Sequence, residues 1–305
     1  MNKTLKILTL VSIFSLFLFG SSAFAGMWQK AEVGGIYHPM GWGRYEASWL
    51  IGQRVDGRAG NYLGQISNLV IDRANDRVAL VVLSNVPGFG ADKVAIPYEC
   101  LERSDTHTFT VRFPIMAMAS VNNREDPDLY LLRQYPTDSP LYSIPRPIDP
   151  NWVAEVYRTY RLGTPYWTEK GERAPSARDF YRTTHLIGSR VRSPKGKVEA
   201  RVSDLVINAS NGHIPILVLS DVRGRNNNLV AVPFDALRRT GKYPYALNIM
   251  GDKLASAPAF YSSDLHKRGY VQQVDTFFGL QPNWTERGHM RNMNPYRWGG
   301  EAENF

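Results

Sequence analysis

Cysteine is almost missing from this sequence. One thiol, Cys100, in 305 residues excludes an internal disulfide and any multi-cysteine metal site. It lies in the apolar-flanked stretch Val94 to Leu101, where a small buried residue is expected rather than a reactive one. Histidine is sparse too. His38, His107, His185, His213, His266 and His289 show no metal-ligand spacing such as H-E-x-x-H. There is no G-x-S-x-G element and no phosphate loop, and Gly34-Gly35 and Gly41-x-Gly43 lie among aromatics outside any strand-to-helix context. No pair of carboxylates stands apart from the rest. The chain therefore reads as non-enzymatic, with no catalytic residue, no cofactor and no metal.

Long apolar runs are also lacking, with one exception at the start. Lys3 and Lys6 precede the run Ile7 to Phe19, which turns small and polar at Gly20-Ser21-Ser22 and reaches Ala23-Phe24-Ala25. A charged start, an apolar stretch of about 13 residues and an A-x-A site make a secretory signal peptide. The run falls short of the ~20 residues that span a bilayer. Cleavage is expected near Ala25, giving an exported, periplasmic or secreted protein. The formal charge of +8 drops by two with Lys3 and Lys6, to about +6, and the excess is spread along the chain. Export separates such a chain from nucleic acid. An acidic partner or anionic lipid headgroups form the secondary reading of the charge.

What the sequence has in abundance is itself. Leu50 to Leu101 lies over Leu186 to Leu237 at a constant offset of 136 residues, without a gap, and roughly 20 of the 52 positions are identical. Leu50-Ile51-Gly52 answers Leu186-Ile187-Gly188, Ser67-x-Leu69-Val70-Ile71 answers Ser203-x-Leu205-Val206-Ile207, and Val94-Ala95-Ile96-Pro97-Tyr98 answers Val230-Ala231-Val232-Pro233-Phe234. Each copy reads as β. Ile66–Ile71 and Val78–Leu83 are short aliphatic runs joined by a turn, and the second copy places Asn211-Gly212 there, residues that tolerate a positive φ. Pro97 and Pro233 end three-residue apolar strands, where a missing N–H does least harm. Phe109–Phe113 and Tyr245–Ile249 alternate apolar and polar residues, the period of a half-buried strand. Five or six short strands per copy predict two tandem small antiparallel barrels, closed or nearly so.

Each copy is followed by a short helical and aromatic tail. Val153 to Tyr160 and Val271 to Phe278 read as amphipathic helices, each with a Trp beyond it, Trp167 and Trp284. The expected organisation is a signal peptide over 1–25, an N-terminal segment over 26–48, barrel one over 49–129 and a proline-rich linker over 130–149. A helical tail and connector follow over 150–184, then barrel two over 185–265, its helical tail over 266–285 and an aperiodic tail over 286–305, expected to be disordered.

These residues resemble a known family. Leu-Ile-Gly-x-x-Val, the Leu-Val-Ile-Asp strand, Gly88-Phe89-Gly90-Ala91-Asp92-Lys93 leading to Val94-Ala95-Ile96-Pro97-Tyr98, and the late Leu254-Ala255-Ser256-Ala257-Pro258-Ala259-Phe260 are similar to the PRC-barrel domain. The resemblance covers roughly Trp49 to Asn122 and His185 to Phe260. It implies a β-barrel used for docking and scaffolding, without a common catalytic motif. One fold serves unrelated roles, so the resemblance supplies no partner.

Two functions are weighed from here. One is a scaffold or accessory module that binds another periplasmic or membrane-complex protein. The other is a carrier of a small apolar ligand, or a membrane-surface accessory subunit of an electron-transfer complex. Small barrels are filled by their own side chains, which favours the first. Trp, Tyr and Arg dominate interface hot spots, so the candidate interaction residues are Phe89 between its two glycines, Arg223 and Arg225 in the matching loop, and Trp167 and Trp284. Replacing Cys100 with Ala, the residue at Ala236 in the second copy, should cost less than ~2 kcal/mol in denaturant unfolding. A larger loss would mean that the thiol does more than fill space.

Overall fold

A computed structural model describes residues 43–90, 93–104, 108–111, 145, 147–160, 162–168, 172–193, 197–225, 228–238, 245–249 and 251–280. The expected signal peptide, most of the expected proline-rich linker and the expected C-terminal tail lie outside these residues. The elements of the first copy run β1 (Arg44–Glu46), α1 (Ala47–Leu50), β2 (Arg54–Asp56), β3 (Tyr62–Asp72), β4 (Arg77–Ser84), β5 (Val94–Pro97), β6 (Leu101–Arg103), β7 (Thr108–Val111) and α2 (Pro150–Thr159). The second copy repeats them as β8 (Phe180–Arg182), α3 (Thr183–Leu186), β9 (Arg190–Arg192), β10 (Val198–Asn208), β11 (Ile216–Ser220), β12 (Val230–Pro233), β13 (Leu237–Arg238) and β14 (Ala246–Leu247). It adds α4 (Gly251–Ala255) and ends at α5 (Tyr270–Phe278).

The fold is mainly β, in two sheets of seven strands with one strand order. The first runs β5-β4-β3-β2-β7-β6 and the second β12-β11-β10-β9-β14-β13. Most neighbours are antiparallel, but β7 lies parallel to β2, and β14 to β9. Those strands arrive through the hairpins β6–β7 and β13–β14, so no tight turn sets their direction against β2 or β9. Pro97 and Pro233 are the last residues of β5 and β12, strands at the end of the ladder order.

β4 explains why its sequence is an unbroken aliphatic run rather than an alternation. Val78 to Leu83 are all fully buried, because one face fills the barrel and the other is covered from outside. Part of that cover is α2, whose Tyr157 and Val156 are buried. α2 begins three residues earlier than the apolar periodicity suggests. Asp149 accepts a hydrogen bond from the Asn151 N–H at 2.6 Å, and Pro150 occupies the first turn, a combination that starts a helix early. α5 packs on β12 and covers the outer face of the second sheet with Val271 and Val274. Both helical tails pack on the sheets of their own copies.

The copies are not two beads on a string. β1, which opens the first copy, pairs with β10 of the second, and β8, which opens the second, pairs with β3 of the first. The registers match residue for residue. Arg44 faces Asn208, while Phe180, 136 positions on from Arg44, faces Asp72, 136 positions back from Asn208. The two hairpin turns then meet. Val78 N–H donates to the Gly212 carbonyl at 2.8 Å and Ile214 N–H to the Asp76 carbonyl at 2.6 Å. Gly212 sits at φ +72°, and a Cβ there would lie 2.8 Å from the Tyr98 ring, so the turn needs glycine twice over. Arg77 bridges to His213, its own counterpart in the repeat. An approximate two-fold axis therefore passes between Arg77 and His213.

A latch secures each exchanged segment. Asp204 accepts from the Ser48 N–H at 3.1 Å and from the Ser48 hydroxyl. At the symmetric place Asn68 donates to Thr184 Oγ1 at 2.7 Å and accepts from the Thr183 hydroxyl at 2.7 Å. The latches differ in one respect, because Asp204 titrates and Asn68 does not. Burial raises the Asp204 carboxyl from its ordinary 3.8 to about 6, although Ser48 pulls it down. The folded state thus favours the protonated acid. Ionising Asp204 costs stability, an expense absent below pH ~4 and complete above pH ~6. Asp204→Asn, the residue used in the other copy, should therefore raise stability at pH 8 by roughly 1–3 kcal/mol. The gain should fade as the pH falls toward 4. Urea unfolding across that range checks it, and a gain independent of pH would show that folding does not raise the Asp204 carboxyl.

Candidate functional site

Two clusters of side chains stand out, one buried and one open. The buried cluster surrounds the two-fold axis on the first copy. Arg77 pairs with Glu99 at 2.9 Å, its guanidinium lies 3.9 Å above the centre of the Tyr166 ring, and the Tyr157 hydroxyl donates to Glu99 at 2.6 Å. The Tyr166 hydroxyl donates to Asp72 at 2.7 Å, and Asp72 also accepts from the Ala74 N–H and the Asn75 amide. Burial raises the Asp72 carboxyl and pushes both tyrosine hydroxyls well up. Arg73 crosses the axis to the carbonyls of Leu237 and Asp235, while gripping Asp76 at 2.6 Å. Burial lifts Asp76 to about 7 against the pull of Arg73.

The hydrogen bonds of this cluster run inward and across the axis. Tyrosine hydroxyls held protonated by burial act as hydrogen-bond donors here. The arrangement joins the copies. Among the described residues no group of three or more His, Cys, Asp or Glu side chains is placed to hold a metal ion.

The open cluster lies where α1 meets β7. Tyr45 stacks on Trp49 with ring centres 4.9 Å apart and planes 22° off parallel, and Phe109 meets both rings edge-on from below. Arg103 covers the pair at 5.1 and 5.6 Å and donates to the Tyr45 hydroxyl at 2.6 Å. Phe109 is buried, Tyr45 and Trp49 are half-buried, and Arg103 is exposed. β1 is locked in register on β10 and α1 is tied to Asp204, so these rings are held on a rigid base. In the second copy Tyr181, His185 and Tyr245 take the places of Tyr45, Trp49 and Phe109, and Tyr181 and Tyr245 tilt together at 5.5 Å.

Residues 43–116 match the PRC-barrel domain. No curated protein matches the chain. The PRC-barrel match begins at Gly43 and so takes in β1 and α1, the segment that crosses to the other sheet. The match does not extend to the second copy, whose sheet nonetheless carries the same strand order.

The interaction residues expected from sequence fall in four different settings. Phe89 is a correction. It is 7 % exposed and belongs to the core, so it is not an available loop tip. Gly88 and Gly90 both take positive φ, and the Phe89 N–H closes a turn onto the Val86 carbonyl at 3.1 Å. The glycines fold the ring inward instead of presenting it. The matching turn recurs in the second copy, from the Arg225 N–H to the Val222 carbonyl at 3.0 Å, and Arg225 sends its guanidinium to the Ala257 carbonyl. Arg223 is exposed.

Trp167 is half-buried and packs within its own copy's tail, 5.1 Å from Tyr166 and 6.2 Å from Tyr157, and 6.3 Å from Phe180 of β8. Trp284 lies outside the described residues. Sequence reasoning passed over Tyr45, Trp49 and Arg103. Their signal was the exchange of Trp49 for His185 immediately before the best-matched part of the repeat. Phe89→Ser should now cost about 2–4 kcal/mol in denaturant unfolding, as loss of a buried ring does. A cost under ~0.5 kcal/mol, typical of a surface position, would return Phe89 to the outside.

Proposed function

We propose that the chain is an exported, non-enzymatic interaction protein. Its paired sheets hold the Tyr45–Trp49–Arg103 face for another protein of the periplasm or of a membrane complex. The observation that carries this reading is the aromatic stack itself. A Trp and a Tyr lie half-exposed with an arginine above them, the residue types that dominate hot spots. They rest on a buried Phe and are fixed by a strand from one copy on the sheet of the other. Such a base lowers the ordering cost of binding. The PRC-barrel match supports a module without chemistry of its own. Export rests on Lys3, Lys6, the run Ile7 to Phe19 and Ala23-Phe24-Ala25, and the second copy is read as a diverged barrel of the same kind.

The interior packing weighs against a carrier of a small apolar molecule. Val55, Leu63, Ile66, Val81 and Leu83 in one copy, and Val191, Val202, Leu217 and Leu219 in the other, are at most 1 % exposed. Their close packing fills the space a ligand would need.

Crosslinking the full chain in its native compartment, followed by mass spectrometry, identifies the partner. Trp49→His, the residue the second copy carries, should keep the fold within ~2 kcal/mol and reduce the partner's crosslinks several-fold. If the partner crosslinks as well to that variant as to the wild type, the aromatic face is not the docking site.

A further inference from the structure

The two copies differ in charge on the outer face of the hairpin β9–β10. Arg190 and Arg192 point outward on β9, with Val191 buried between them. Arg201 of β10 stands directly opposite Arg190, and Val198 opposite Arg192. Lys197 is exposed at the start of β10, and Arg223 is exposed beside it, its N–H bonded to the Glu199 carbonyl at 2.8 Å. Among the described residues, Asp221 pairs with Arg201 at 3.3 Å, and the Glu199 side chain is buried. The five basic residues outnumber these two acids.

The first copy has the same backbone with different chemistry. At the positions of Arg192, Lys197, Arg201 and Arg223 it carries Asp56, Asn61, Gln65 and Pro87. Asp56 accepts from Arg54 at 2.7 Å, and the Gln65–Asn85 bond at 3.1 Å stands where Arg201 and Asp221 meet. The barrel thus forms without these cations. Arg190 and Arg201 stand directly opposed on one face, and Asp221 offsets part of their like charge.

We propose that the β9–β10 face of the second copy rests on an anionic lipid bilayer. The cations lie on a strand pair around Val198, an apolar side chain 39 % exposed. Cations surrounding a modest apolar contact suit the headgroup plane of a membrane. Guanidinium groups also match phosphate geometry bidentately. A protein partner would favour aromatic residues and disfavour Lys at the centre of its footprint. This surface is distinct from the Trp49 face, so either can fail without the other.

The test is flotation of the full chain with vesicles of neutral lipid, or of neutral lipid with roughly a third phosphatidylglycerol, at low and at physiological salt. The leader and its lysines are common to every variant, so the readout is the ratio of anionic to neutral binding. Each cation near an anionic surface contributes about fivefold. Arg192→Asp with Lys197→Asn, both copied from the first sheet, should reduce that ratio at least ~20-fold. Arg192→Gln with Lys197→Gln, which keeps the shape with less charge change, should reduce it by a smaller factor in the same direction. A wild-type ratio near one overturns the proposal, as does a ratio unchanged in both folded variants. Salt-sensitive binding to polyglutamate without vesicle binding also overturns it, and would point to an acidic protein instead.

Discussion

Everything in this molecule depends on a trade. Each copy gives its first strand and the helix after it to the other copy's sheet, and receives the equivalent segment back. A three-residue strand such as β1 or β8 makes few ladder bonds, too few to hold itself in place. Each is held because the next four residues turn into a helix that is bonded to the accepting sheet, by Asp204 to Ser48 on one side and by Asn68 to Thr183 and Thr184 on the other. The exchange joins the two barrels into one continuous core. Leu50 and Leu186 of the exchanged helices share it with aliphatic residues of both sheets.

The polar cluster at the axis follows from that trade. Once two hairpin turns meet head to head, their carbonyls and the side chains of Arg73, Arg77 and Asp76 lose most of their contact with water. Buried polar groups must then be paired with one another. The ion pair between Arg77 and Glu99, roofed by Tyr166 and braced by Tyr157, meets that demand. Perturbed carboxyls in such a place report desolvation at a junction.

The repeat, the strands, the two helical tails and the proline-ended edges are legible in the sequence because they are local. Aliphatic runs, an Asn-Gly turn and a proline each act over a few residues. The exchange is not legible, because its determinants are short and its partners distant. Arg44–Glu46 has no usable periodicity, and the difference between Asn68 and Asp204 looks like drift until each is seen facing the other copy's helix. Phe89 fails for another reason. A bulky residue between two glycines reads as a projecting tip, yet the two positive φ values that those glycines permit turn the ring inward. The open aromatic face was hidden by distance along the chain, since Tyr45, Trp49, Arg103 and Phe109 meet only after the sheet has formed.

Two identical chains that clasped each other this way would form a symmetric pair, and symmetry would force every surface to appear twice. A substitution that created a sticky face on one side would create its duplicate on the other, opening a route to endless assembly. Joining the two copies in one chain removes that obligation. One copy can carry Trp49 where the other has His185, and Asp56 where the other has Arg192, without disturbing the axis at Arg77 and His213 on which both copies rely. The molecule keeps the stability of a two-fold clasp while having a left and a right, so it can be oriented between two different neighbours.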